Sequence, residues 1–176
     1  SEEPAPPPEP PPEELAAQQI EETLASLSLA QKVGQLFFVR CPAEGCAEYV
    51  TEYHLGGYLR FGRDFQDAQG AWLTADEVRA NIQSYQSAAG SDSGIPLLIG
   101  VDEEGGTVSR IGANEALGGT KVADMRSFGQ SADPAQVYAA GQTLAANLTG
   151  LGFNLDFAPD CDVVSGVDSV IGSRSF

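Results

Sequence analysis

Positive charge is scarce in this sequence. Nine Lys and Arg stand against 25 Asp and Glu, giving a formal net charge of -16 and a pI near 4.1. Binding to a phosphate backbone needs clustered Lys and Arg, so nucleic acid is excluded as a partner. Long apolar runs are also missing. None approaches the roughly 18 residues of a membrane span, and no transmembrane segment is expected. Histidine occurs once, as His54, just before Gly56-Gly57 in a turn, and is read as structural. The three cysteines (Cys41, Cys46 and Cys161) have neither paired CxxC spacing nor nearby histidine, which speaks against zinc. No cofactor and no metal site are expected. Cys41 and Cys46 are close enough in sequence to be bridged, but an odd cysteine count assigns no compartment.

At 176 residues, with 42% hydrophobic content, there is room for one ordinary domain and its core. Seven of the eleven prolines fall in residues 4–12, mixed with Glu. Such a segment has little to bury, so residues 1–13 are expected to be a disordered Pro/Glu-rich spacer and 14–176 the folded part. The chain opens on Ser1 without Met or an apolar leader, as a processed or excised chain would. A spacer of this kind suits a secreted or surface-tethered, extracytoplasmic protein.

The rest of the chain is organised around residues 95–106, IPLLIGVDEEGG. A short apolar run ending abruptly in acids is how a strand buried on both faces carries polar side chains to its carboxyl end. In parallel α/β sheets and barrels, that end binds ligands. Residues 153–163, FNLDFAPDCDV, are built the same way, like a second stave of one site.

Strands are predicted near 36–40, 57–62, 96–102 and 153–158. Helices are predicted near 13–26, 29–35, 47–53, 74–89 and 134–150. Ser28 with Gln31 and Thr74 with Glu77 are capping boxes, and Asp133-Pro134 opens the longest helix. Residues 105–130, rich in glycine and without a clear period, read as a long loop. Strand and helix alternate about four times, implying parallel strands with helical crossovers. The fold class is therefore α/β, and since a complete (β/α)8 barrel takes roughly 250 residues, this chain supplies about half of one.

The stretch VDEEGGTVSR at 101–110 resembles the signature of the family 3 glycoside hydrolases, especially their bacterial β-N-acetylhexosaminidase branch. The resemblance continues in LSLAQKVGQLFFV (27–39), YHLGGYLRFGRDF (53–65), LGFNLDFAPDCDV (151–163) and VIGSRSF (170–176). Five blocks in order make it specific. It implies that this chain is the first half of a (β/α)8 TIM-type barrel, part of a retaining hydrolase acting on terminal β-linked sugars, with N-acetylglucosamine of cell-wall fragments as the favoured carbohydrate. It also implies that Asp102, Arg110 and Arg174 bind the terminal sugar, and that Glu104 supports the loop. Thr107 departs from the branch, which commonly carries Arg there. The resemblance places the family's Lys-His…Gly-His-Gly stretch and its Asp nucleophile beyond Phe176. This chain alone is therefore expected to hold part of the sugar grip, no catalytic residue and no activity.

Other readings use the same residues. Asp160-Cys161-Asp162 is a DxD of the kind that holds a divalent metal in nucleotide-sugar transferases, but no basic groups for a diphosphate lie nearby. Asp102, Glu103 and Glu104 are consecutive, so only alternate ones can converge on one ion, the rest forming an ion-paired rim. Carboxylates beside Gly105-Gly106 would repel a phosphate. Tyr49, Tyr53, Tyr58, Phe61 and Phe65 read as core rather than as a sugar-stacking platform. The alternative function is a non-catalytic carbohydrate-binding or interaction protein on the same fold.

Overall fold

The computed structural model describes residues 11–164 and 171–176. Each apolar run forms a strand, shorter than its pattern suggests: β1 (Phe38–Arg40), β2 (Gly57–Arg60), β3 (Leu98–Val101) and β4 (Leu155–Asp156). All pairs are parallel and the order is β1-β2-β3-β4. Phe38 pairs with Gly57, Leu59 with Gly100 and Val101 with Asp156. Strands in strictly sequential order wind as a barrel does, whereas a doubly wound sheet reverses at a switch point.

The helices are α1 (Pro12–Ser26), α2 (Leu29–Gly34), α3 (Cys46–Tyr53), α4 (Ala75–Asp92), α5 (Met125–Ser131) and α6 (Pro134–Thr149). Both capping boxes form, at Ser28 with Gln31 and at Thr74 with Glu77. Helix α3 crosses from β1 to β2, α4 from β2 to β3, and α5 with α6 from β3 to β4. Helix α4 buries Val78, Ile82, Tyr85 and Ala89, a 3.6-period stripe, in the core with Tyr58, Ile99, Val101 and Phe153. Burying a residue such as Ile99 completely contributes about 1.5–3 kcal/mol.

On the other face of the sheet, Gly57 and Gly100 leave room for two rings. A Cβ on Gly57 would lie 2.3 Å from Phe38, and one on Gly100 would lie 2.8 Å from Phe157. The two rings meet at 5.3 Å between centroids. Apolar hollows of about 860 Å³ beside α2, β1 and α3, and about 420 Å³ beside α6 and β4, flank the two outer strands. Among the described residues, no helix is long and apolar enough to cross a membrane.

One expectation changes. The stretch 105–130 is not one loop: a 3-10 turn forms at Glu115–Leu117, and α5 starts at Met125, where the Asp124 side chain accepts the Ser127 N–H. Seven residues are too few to display a helical period. The boundary at 13/14 falls inside α1, which starts at Pro12 because proline suits the first turn of a helix. Residues 1–10 of the expected spacer lie outside the described residues. Cys41 and Cys46 are free thiols. His54 is structural as read: its Nδ1 lies 2.8 Å from Asp92 Oδ1, tying the end of α3 to the end of α4.

Candidate functional site

The chain leaves β3 at Val101 and presents three acids in succession, which turn alternately. Glu103 points inward and is fully buried. It accepts four hydrogen bonds: from Ser109 Oγ at 2.5 Å, and from the N–H groups of Arg110 (2.6 Å), Ile111 (2.8 Å) and Gly112 (3.1 Å). Its own N–H donates to Asp156 Oδ1 at 3.0 Å, so the ends of β3 and β4 are stitched together. Loss of solvent, and then the neighbouring acids, push the Asp156 carboxyl up to about 6.

Between Glu104 and Val108 the chain doubles back through Gly105 and Gly106, at φ 85 and 56. A Cβ on Gly105 would sit 2.5 Å from the Ala123 carbonyl oxygen, and one on Gly106 would sit 2.6 Å from Asp124 Cβ. The pair is therefore required by both conformation and space. The reversal, closed by Glu104 N–H to Val108 O at 2.8 Å, returns Arg110 to Asp102.

Asp102 and Arg110 approach to 3.8 Å, beyond hydrogen-bond distance, and both are partly open to solvent. Arg110 Nε is buried without a hydrogen-bond partner, as is Asn114 Nδ2. Both residues line a cleft of about 650 Å³ with Ser109 and the half-exposed Trp72. Arg174 behaves differently. Its Nη2 and Nε donate to Glu104 Oε1 and Oε2 at 2.6 and 2.8 Å, and Nη2 lies 4.0 Å from Asp160 Oδ2. Glu104, followed by Asp160 and Asp102, favours the charged guanidinium. The short turn carrying Arg174, Gly172–Arg174, is held by α5, because Arg126 Nε donates to Gly172 O at 2.8 Å.

Asp102, Arg110 and Arg174 thus lie on the chain that follows β3 and β4, Arg110 beside Asp102 and Arg174 on Glu104. Glu104 supports the loop as the resemblance implies, by holding Arg174. Glu103, to which no role was given from sequence, pins the same loop through its amides. Asp160 and Asp162 make no metal cluster, and none forms among the described residues. Arg126, Asp156 and Trp72 escaped the sequence reading. Asp156 could have been found by its place at the end of an apolar run, but Arg126 stands in a helix of only seven residues and Trp72 in an irregular stretch, neither with a periodic signal. Val170, which opens VIGSRSF, lies outside the described residues.

The model of the family described as "Glycosyl hydrolase family 3 N terminal domain" matches residues 28–176. The chain belongs to glycoside hydrolase family 3. Among curated relatives it is similar to the beta-hexosaminidase LpqI of Mycobacterium tuberculosis, 37% identical over 155 residues, 86% of this chain and 36% of that protein. In structure it is similar to a family 3 beta-N-acetylglucosaminidase from a Paenibacillus species, with a TM-score of 0.65 and 32% identity over 76% of this chain and 24% of that one. It is also similar to NagZ from Neisseria gonorrhoeae, solved in complex with N-trifluoroacetyl-D-glucosamine, with a TM-score of 0.59 and 26% identity over 78% and 39% of the two chains. The chain spans between about a fifth and about a third of the length of the curated relatives it matches. The α/β fold of four parallel strands is that of the family's barrel domains.

Proposed function

We propose that this chain forms the sugar-gripping half of a retaining β-N-acetylhexosaminidase, acting on terminal N-acetylglucosamine of cell-wall fragments. The observation that carries the reading is the open pair Asp102–Arg110. The loop is already pinned by Glu103, so neither Asp102 nor Arg110 is consumed in holding it. At 3.8 Å the two leave an acceptor and a fork of donors directed to the same mouth, the complement of adjacent sugar hydroxyls. Trp72 supplies an apolar face along the cleft that Arg110 lines. Arg174 is held by Glu104, about a third exposed, on the turn that follows β4.

Retaining hydrolysis needs a nucleophile and an acid/base on either side of the glycosidic bond. The reading assigns neither role within this chain, whose acids are absorbed in holding the loop and Arg174 or in gripping sugar. The names of the relatives support the hexosaminidase activity, and the Pro/Glu-rich spacer supports an extracytoplasmic, tethered location. The test uses an aryl β-N-acetylglucosaminide. A longer protein containing this chain and the remaining barrel is expected to hydrolyse it, and the 176-residue chain is not. Turnover by the 176-residue chain above a protein-free blank would place the chemistry elsewhere. A longer protein that binds N-acetylglucosamine without cleaving it would favour the non-catalytic alternative.

A further inference from the structure

Cys41 and Cys46 lie at the opposite ends of a tight turn. Cys41 follows β1 and is fixed by its own N–H, which donates to Leu59 O at 2.9 Å. Cys46 is the first residue of α3, with Gly45 as its cap. The two sulfur atoms are 3.6 Å apart, one thiol donating to the other, and both are free. Cys41 is buried, whereas Cys46 is partly exposed, and both line a cavity of about 290 Å³.

The same cavity is lined by Arg60, 2% exposed, at the end of β2. Its Nη2 donates to Asp64 O and its guanidinium lies 4.8 Å from the centre of the Phe65 ring. Its Nε and Nη1 have no hydrogen-bond partner. A buried cation with two unsatisfied donors favours an anion beside it. Tyr85 and Tyr58, which face the cysteines from α4 and β2, are held in the neutral phenol form, chiefly by loss of solvent. Glu44, Asp64 and Asp67 are the acids that line this cavity, and Arg63 is its second cation.

We propose that Cys41 and Cys46 are a reactive dithiol that exchanges with disulfides, Cys46 attacking and Cys41 resolving. The Cys46 thiolate displaces one sulfur of a disulfide RSSR, forming Cys46–S–SR and releasing RS⁻. Cys41 then loses its proton to water and attacks the Cys46 sulfur, expelling the second RS⁻. The dithiol is oxidised by two electrons and RSSR is reduced to two thiols. The assignment of roles follows from exposure and electrostatics together. Donation from the Cys41 thiol, then from Tyr85, and the charge of Arg60 lower Cys46 to about 6, and the first amides of α3 act in the same direction. The same donation raises Cys41, so the buried thiol keeps its proton until its partner has reacted. The product closes the turn 42–45 and joins the end of β1 to the start of α3.

The inference is independent of the sugar reading, and its test requires no sugar. The reduced chain carrying Cys161→Ser is exposed to glutathione disulfide, quenched with acid and mapped by peptide mass. The expected product is a Cys41–Cys46 disulfide without retained glutathione. With Cys41→Ser added, a stable glutathione adduct on Cys46 is expected. Alkylation of Cys46 by iodoacetamide in the folded reduced chain should have its pH midpoint near 6, against roughly 8.5 in urea. Glutathione that persists on Cys46 with Cys41 intact overturns the proposal. So does an alkylation midpoint equal to that in urea.

Discussion

Arg174 grips Glu104 with two nitrogens at once, Nη2 at 2.6 Å and Nε at 2.8 Å, across 70 residues of chain. The fork fastens the turn after β4 to the loop after β3. Glu104 is almost wholly buried, with its side chain 6% exposed. Arg174→Ala would leave that carboxylate without its partner, which should destabilise the chain by about 2–3 kcal/mol. Arg174→Lys, which keeps charge but cannot make the fork, should lose about half of that. Urea unfolding of the three chains measures both. Equal stability of all three would mean that the pair does not hold the loops together.

Glu103 has a heavier structural task. Its two oxygens serve one hydroxyl and three consecutive N–H groups. Glu103→Gln turns one acceptor into a donor facing other donors. Each buried donor left without an acceptor costs about 1–3 kcal/mol, so the substitution should cost about 2–4 kcal/mol. Glu103→Asp, too short to reach all four donors, should lie between. The readout is the midpoint of thermal unfolding, with amide exchange at Arg110, Ile111 and Gly112 reporting whether the loss is local.

The contrast between these acids shows what sequence could disclose. Apolar runs ending in acids, capping boxes and the stripe of α4 depend on neighbours in the chain, so strands, helices and the location of the mouth were legible. The resemblance singles out Asp102, Arg110 and Arg174, which the structure places in an open pair and in a fork on Glu104. Which acid pins the loop was not, because it depends on the turn through Gly105 and Gly106, whose φ values of 85 and 56 decide which of three adjacent carboxylates faces the returning amides. Arg126 was hidden for a related reason. It acts across 46 residues on Gly172 O and across 38 on Val164 O, and no local pattern announces such contacts.

Asp156 makes a prediction in pH. Its carboxyl is raised to about 6, first by loss of solvent and then by Glu103, Asp102 and Glu104, although the Glu103 N–H works against this. The folded chain therefore holds the proton more tightly than the unfolded chain, where an Asp titrates near 3.9. That contribution is fully present below about pH 4 and is lost as pH rises through about 6. Asp156→Asn keeps the oxygen that accepts the Glu103 N–H and removes the titration. The variant should be more stable than the native chain at pH 7, and the difference should shrink as pH falls from 6 to 4. A stability difference constant across that range would show that Asp156 is not under the field of its neighbours.

Asp102 separates gripping from scaffolding. With Arg110 at 3.8 Å and both side chains about a quarter exposed, the pair contributes little to folding, on the order of 0–1 kcal/mol. Asp102→Asn should thus leave the unfolding midpoint nearly unchanged, unlike Glu103→Gln. In a longer, active protein containing this chain, Asp102→Ala removes an acceptor for sugar hydroxyls. A charged hydrogen bond of about 1.5–3 kcal/mol corresponds to a loss of about tenfold or more in affinity for N-acetylglucosamine. If the contact tightens as the sugar flattens in the transition state, kcat falls together with affinity. Calorimetric titration and steady-state kinetics, set beside thermal unfolding, resolve the two roles. A lowered Tm with affinity unchanged within about twofold would make Asp102 a strut for the loop, and the sugar grip would then have to be sought around Arg174 alone.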